Sequence, residues 1–83
     1  MRRKASNKII RSSKLDYRAI LGRAIREERK RAGFSQELLA EKAVLHPNYL
    51  GRVERGEESI SLGALRRVAG ALRVRVRDLV TDL

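Results

Sequence analysis

Apolar residues recur along the chain at a spacing that is typical of helix starts. An apolar residue, a capping position, three further residues and a second apolar residue make up FSQELL (34–39), LHPNYL (45–50) and ISLGAL (60–65). In such a segment the two outer apolar residues pack on each other around a helix N-terminus, and Ser35 and Ser61 are favourable caps. The pattern predicts helices that begin near residues 36, 47 and 62.

Two more segments have the same spacing. LDYRAI (15–20) has Asp16 at the capping position and predicts a first helix from about Tyr17 to Ala32, while VRVRDL (74–79) has Arg75 there and predicts a weakly capped fifth helix. Gly33 and Gly56 stand where a left-handed residue would end the preceding helix. The only alternating stretch, VRVRDLV, is too isolated to build a sheet. We therefore expect an all-α, compact five-helix domain over residues 15–83.

LHPNYL contains the only histidine and the only proline of the chain. Pro47 falls at the first helical position, where its missing N–H costs nothing, and His46 falls at the cap. A lone histidine without a cysteine or a second histidine is a poor metal ligand. We expect His46 to cap the helix, and we expect neither a metal nor a cofactor.

Basic residues outnumber acidic ones by 20 to 10, which gives a net charge of +10. Such a chain accumulates near polyanions, so nucleic acid is the first candidate partner. Residues 1–14 carry six of the basic side chains and no acid, with little apolar surface to bury. They are expected to form a flexible basic tail. A solubilising leader and an arm that contacts phosphates are both open interpretations of it.

Eighty-three residues suffice for one small domain. The absence of cysteine excludes disulfides and thiolate zinc sites. No apolar run approaches the roughly 18 residues that span a bilayer, and the N-terminus lacks the features of a secretory signal. A soluble protein of the cytoplasm, associated with the nucleoid, is expected.

Two short predicted helices joined by a tight turn, over residues 35–55, make a helix-turn-helix. The segment SQELLAEKAVLHPNYLGRVERG resembles the core of the lambda-repressor-like (Cro and XRE-type) transcriptional regulators, and SISLGALRRVAGALRV is similar to the fourth helix of that family. The resemblance extends from about Leu21 to Leu79. Within the family, the Leu-His pair at 45 and 46, Tyr49 and SISL look most like restriction–modification controller proteins.

The resemblance implies a role for individual residues. The third helix would enter the major groove of double-stranded DNA and present Pro47, Asn48, Gly51 and Arg52 to the bases, with Asn48 suited to adenine and Arg52 to guanine. Phosphate contacts would come from Ser35, Gln36, His46, Arg29, Lys42 and Arg55. Arg29 and Glu54 would form a structural ion pair that fixes the recognition helix.

The sequence departs from the family pattern at three places. Val44 occupies a turn position where relatives often have glycine, so a positive φ would be costly and a slightly reshaped turn is expected. Leu38 replaces the glutamate that would complete a capping box with Ser35. Glu57 and Glu58 lie in a loop that is commonly more basic, which puts a phosphate contact from that loop in doubt.

Apolar residues that the predicted core does not need are concentrated at the C-terminus: Val74, Val76, Leu79, Val80 and Leu83. They are expected to form the interface of a homodimer, with closure of the monomer core as the alternative. The function predicted is a sequence-specific transcriptional regulator that binds a palindromic operator without a small-molecule ligand. The alternative is an antitoxin-like or protein-interaction module. An enzyme is not expected, because the chain offers no nucleophile–base set.

Overall fold

Five helices account for the regular structure of residues 3–83. The computed structural model describes the backbone of residues 3–83 and the side chains of residues 17–83. The helices are α1 (Arg3–Arg31), α2 (Gln36–Ala43), α3 (Pro47–Glu54), α4 (Leu62–Leu72) and α5 (Val76–Leu79). Over residues 3–83 there is no strand, so the prediction of an all-α, five-helix domain is confirmed.

The predicted starts of α2, α3, α4 and α5 are confirmed. The hydroxyl of Ser35 accepts the N–H of Leu38 at 3.0 Å, and the hydroxyl of Ser61 accepts the N–H of Ala64 at 3.1 Å. Each bond satisfies one of the helix N–H groups that have no partner within the helix. At α5 the first turn is closed differently, because the N–H of Arg75 donates to the carboxylate of Asp78 at 2.9 Å.

Helix α1 begins much earlier than the pattern indicates. It starts at Arg3, so the predicted start at Tyr17 is wrong and Asp16 lies inside the helix. No glycine or proline interrupts residues 3–21, and every residue there can extend a helix at modest cost. The side chains of residues 3–16, with Met1 and Arg2, lie outside the described residues, and the flexibility of the basic tail stays a prediction. At the other end α1 closes on Gly33, at φ 77°.

Every helix contributes to one hydrophobic core. Ile25, Leu39, Leu50 and Val68 are fully buried, one from each of the four longer helices. Phe34, Leu45 and Ile60, the residues that precede three of the helix caps, pack against this core and are partly buried. The spacing of apolar residues around the caps therefore predicted both helix starts and core positions.

The C-terminal residues proposed for a dimer interface are not all available. Leu79 is only 1% exposed and belongs to the core of the monomer, so its assignment to an interface is wrong. Val74, Val76 and Val80 are partly buried against the same core, whereas Leu83 is 55% exposed. A domain of this size needs α5 to close its core, which was the alternative for these residues.

Helices α1 and α3 cross at very short range. A Cβ atom placed on Gly22 would overlap the carbonyl oxygen of Val53 and lie 2.8 Å from the carbonyl oxygen of Glu54. Both carbonyls belong to the last turn of α3. Only glycine allows this approach, which places the last turn of α3 directly against α1.

The turn between α2 and α3 keeps a left-handed residue despite the lack of glycine. Val44 has φ 57° and ψ 54°, and its N–H donates to carbonyl groups of the last turn of α2. The expectation of a reshaped turn is therefore wrong, because the fold imposes the left-handed conformation on a β-branched residue. The Val44 side chain is 75% exposed and gains little from packing. Among the described residues, no helix is long and apolar enough to cross a membrane.

Candidate nucleic-acid interface

His46 caps the N-terminal end of α3. His46 Nδ1 accepts the N–H of Asn48 at 3.0 Å, and Pro47 occupies the first turn, as the sequence predicted. With Nδ1 as the acceptor, Nε2 is the ring nitrogen that is left to donate. His46 thus caps the helix, and its phosphate contact stays a prediction. Over the residues with described side chains, no three acidic or histidine residues are grouped to hold a metal.

Three of the four residues predicted to read bases are exposed on α3. Pro47, Asn48 and Arg52 face solvent, whereas Gly51 is buried. A Cβ atom on Gly51 would lie 3.3 Å from Gln36 Oε1 and 3.3 Å from Arg55 Nη1. Gly51 therefore makes room for these two side chains, and its assignment to the base-reading surface stays a prediction.

A partly buried ion pair supports α3 from α1. Arg29 Nε lies 2.8 Å from Glu54 Oε2, and a second bond of 3.0 Å joins Arg29 Nη2 to Glu54 Oε1. The Arg29 side chain is 11% exposed and the Glu54 side chain 2%. The hydrogen bonds to Glu54 raise the pKa of Arg29 above its ordinary value. This is the structural ion pair that the family resemblance implied.

The same network includes the start of α2. Gln36 Nε2 donates to Glu54 Oε1 at 2.9 Å, and Arg29 Nη1 donates to the carbonyl of Phe34 at 3.0 Å. All three guanidinium nitrogens of Arg29 are bonded within this network, which favours its structural role. A phosphate contact from Arg29 stays a prediction. The bond between Gln36 and Glu54 was not predicted, because nothing in their local sequence patterns links them.

Several predicted phosphate-binding residues line a common cleft. This open, polar cleft has a volume of about 600 Å³, and its walls are Arg26, Arg29, Gln36, Glu37, Glu54 and Arg55. The first N–H groups of α2 have no partner within the helix and add partial positive charge at this end. Arg26 was not predicted, although its place on the polar face of α1 is readable from the sequence.

The remaining phosphate candidates lie apart from the cleft lining. The hydroxyl of Ser35 is used for the helix cap. The ammonium of Lys42 lies 5.3 Å from the centre of the Phe34 ring, a cation–π distance, on an exposed side chain. Neither arrangement tests a phosphate contact, which stays a prediction for both residues.

Two glutamates of the loop between α3 and α4 pair with arginines of α3 and its C-terminus. Arg52 Nε donates to Glu58 Oε1 at 2.7 Å, and Arg55 Nε donates to Glu57 Oε2 at 3.0 Å. The bonds to Arg55 hold the pKa of Glu57 below its ordinary value, and those to Glu57 raise the pKa of Arg55. Both acids stand out in the sequence, but their partners were not predicted, because the pairing depends on how the loop folds back.

Tyr49 fastens this loop to α3. Its hydroxyl donates to the carbonyl of Ser59 at 3.3 Å and accepts the N–H of Ser61 at 3.2 Å. The hydroxyl of Tyr17 lies 2.9 Å from Ser59 Oγ and joins α1 to the same loop. Tyr49 is half-buried, and it also packs against the hydrophobic core.

Comparisons with known proteins agree with this geometry. A helix-turn-helix family model matches residues 25–79. The chain is 40% identical over 67 residues to the control protein C.SmaI of Serratia marcescens, covering 81% of this chain and 80% of that protein. It is 34% identical over 66 residues to the control protein C.BamHI of Bacillus amyloliquefaciens, covering 78% and 82%.

A solved structure has the same architecture. The crystal structure of the restriction-modification controller protein C.AhdI from Aeromonas hydrophila superposes with a TM-score of 0.73 at 39% sequence identity, covering 75% of this chain and 94% of that one. The resemblance to controller proteins is confirmed by these relatives, and the family is one of transcription regulators rather than enzymes. The chain belongs to the Cro/C1-type helix-turn-helix family of DNA-binding transcription regulators.

Proposed function

We propose that the protein is a sequence-specific regulator that binds a two-fold symmetric operator as a homodimer, with α3 in the major groove. The observation that carries the proposal is the exposure of Pro47, Asn48 and Arg52 on a helix whose last turn packs closely on α1 and is joined to α1 by the ion pair of Arg29 with Glu54. A rigid scaffold under exposed readers is what base recognition requires.

The chemistry of the exposed side chains suits base edges. The Asn48 amide can bond adenine N6 and N7, and the Arg52 guanidinium can bond guanine O6 and N7. Around them, Gln36, Arg55 and His46 carry N–H donors that we assign to the phosphates. The net charge of +10 adds attraction for any duplex.

We infer a homodimer because one chain has only a few residues that can contact bases. One copy of α3 reaches only a few base pairs, whereas two copies related by two-fold symmetry read two half-sites about one helical turn apart. Leu83, with the exposed parts of Val76 and Val80, is the apolar surface that we assign to the interface. The controller proteins among the relatives suggest that the regulated genes belong to a restriction–modification system.

Selection of duplexes from a random pool tests the proposed function. We expect enrichment of a palindromic sequence and a protection footprint that spans two half-sites. Sedimentation with that duplex should give two protein chains per duplex, and Leu83→Asp should weaken the dimer while leaving the helix content unchanged. Equal binding to selected and scrambled duplexes would instead favour a protein-interaction module, and a single chain per duplex would contradict the dimer.

A further inference from the structure

Glu58 contacts the arginine that we assign to base reading. Its Oε1 accepts the Nε–H of Arg52 at 2.7 Å, and the two side chains are 40% and 44% exposed. A guanidinium has five N–H donors in a fixed plane, and this contact uses the one on Nε. One N–H of each terminal nitrogen points outward, and these two groups form the outer edge of the fork. That edge can form two parallel bonds to guanine O6 and N7.

The position of Glu58 does not depend on Arg52 alone. The N–H of Glu57 donates to the carbonyl of Arg52 at 2.9 Å, on one side of Glu58. On the other side, the Tyr49 hydroxyl bonds the carbonyl of Ser59 and the N–H of Ser61. The backbone on both sides of Glu58 is therefore tied to α3. This anchoring keeps the backbone of Glu58 close to Arg52, whose side chain its carboxylate binds.

We propose that Glu58 is a positioning residue that sets the specificity of Arg52. By holding Nε, it limits the rotamers of a long side chain and presents the outer edge of the guanidinium to one base. An arginine without this acceptor can turn to a phosphate and bind any sequence. The carboxylate also repels nearby phosphates, which lowers the affinity for every duplex. This inference rests on the proposed function.

Glu57 offers a matched control on the same loop. It has the same charge, and both of its carboxylate oxygens accept from Arg55. Arg55 is assigned to phosphates rather than to bases, so loss of Glu57 removes loop charge without releasing a base-reading side chain. Glu58→Ala and Glu57→Ala therefore remove the same charge from the loop but break hydrogen bonds to different arginines, Arg52 and Arg55.

The test compares Glu58→Ala, Glu58→Gln, Glu57→Ala and Tyr49→Phe with the wild type on three duplexes. These are the selected operator, a scrambled duplex, and the selected operator with one guanine replaced. The replaced guanine is the one assigned to Arg52, identified as the position at which Arg52→Ala loses the base preference. Glu58→Ala should reduce the preference for that guanine about 1.5-fold to fivefold, the range that corresponds to removal of an exposed ion pair, and should raise the affinity for scrambled DNA. Glu58→Gln keeps an acceptor for Arg52 and should reduce the guanine preference less. Tyr49→Phe removes the two hydrogen bonds that join the loop to the Tyr49 hydroxyl, and it should reduce the guanine preference as Glu58→Ala does.

Glu57→Ala should raise the affinity for all three duplexes alike and keep the guanine preference. Equal changes on all three duplexes for Glu58→Ala would overturn the inference and reduce Glu58 to a loop charge. A larger gain on the operator than on scrambled DNA would overturn it too, because Glu58 would then restrain Arg52 from binding. A wild type that binds all three duplexes equally would contradict the proposed function itself. Circular dichroism of each variant checks that helix content is retained.

Discussion

Arg52 differs from the other basic residues near α3 in the kind of contact it can make. It is exposed on α3, and its ion pair with Glu58 is also exposed. Surface pairs of this kind contribute about 0–1 kcal/mol to stability. Removing Arg52 therefore changes the free energy of unfolding little, and its effect on DNA binding can be measured in a folded protein.

Arg52→Ala is expected to cost about 1–3 kcal/mol of binding free energy on the selected operator and to relax the preference at one base pair. Binding to scrambled DNA should weaken much less. Fluorescence anisotropy with both duplexes measures the difference. Arg66→Ala, which removes an exposed arginine of α4, is the control and should not change the preference. Equal losses on both duplexes would reassign Arg52 to the phosphate backbone.

Val44 is a residue whose backbone conformation opposes its side chain. A left-handed conformation costs an L-residue about 1–2 kcal/mol, and glycine avoids that cost but loses more entropy on folding. Val44→Gly is therefore expected to raise the free energy of unfolding by about 0.5–1 kcal/mol. Urea denaturation followed by circular dichroism measures the change. Val44→Ala keeps a Cβ atom and should gain less, and a destabilised Val44→Gly would show that the valine side chain has a role in packing.

At the scale of the helices, the crossing of α1 and α3 determines the position of the residues of α3 that we assign to base contacts. The crossing depends on Gly22, and the ion pair of Arg29 with Glu54 lies about two turns further along α1. Together they fix both the distance and the rotation of α3 relative to α1. The helix-turn-helix is thus held from behind by α1 as well as by its own turn.

Two helical glycines provide a matched pair of substitutions. Gly70→Ala adds a Cβ atom where nothing lies within 4 Å, and should raise the free energy of unfolding by about 1 kcal/mol through helix propensity. Gly22→Ala has the same propensity gain but must push α3 away, and should lower the free energy of unfolding by about 1–3 kcal/mol. Thermal denaturation compares them. Two stabilised variants would contradict the close crossing of α1 and α3.

At the scale of the whole molecule, the distribution of charge separates general attraction from recognition. Residues 1–14 hold six of the 20 basic side chains, and the rest of the chain is nearer to neutral, with 14 basic and ten acidic residues. An arm that contacts phosphates would increase the affinity for every duplex, because counterion release does not depend on sequence. The base-contacting residues proposed on α3 would account for the preference for the operator over other sequences.

Deletion of residues 1–14 should therefore weaken binding to selected and scrambled duplexes by the same factor. The slope of log affinity against log salt should become shallower by roughly 0.9 for each phosphate that the shortened chain no longer neutralises. Titrations at several salt concentrations measure this slope for the full and the shortened chain. An unchanged slope would favour the other interpretation of the tail, a solubilising leader.

Local sequence patterns were sufficient to predict the helix starts of α2 to α5, the short helix-turn-helix and the role of His46 as a cap. These features depend on residues at most about five positions apart, and the side-chain and backbone preferences of such short segments specify them. The ion pair of Arg29 with Glu54 came from the family resemblance. The predicted start of α1 was wrong because a local pattern shows only where a helix can begin. Asp16 is a good cap, but no residue before it stops a helix.

Packing in three dimensions determines which of the remaining candidates are exposed. Gly51 is covered by Gln36 and Arg55, Leu79 is buried in the core, and Glu58 reaches Arg52. In each case the partner is brought close by packing between elements or by the path of a loop, and no local pattern encodes that path. The hydrophobic effect selects which surfaces meet without regard to their separation in sequence, so burial and long-range pairing could be read only from the folded chain.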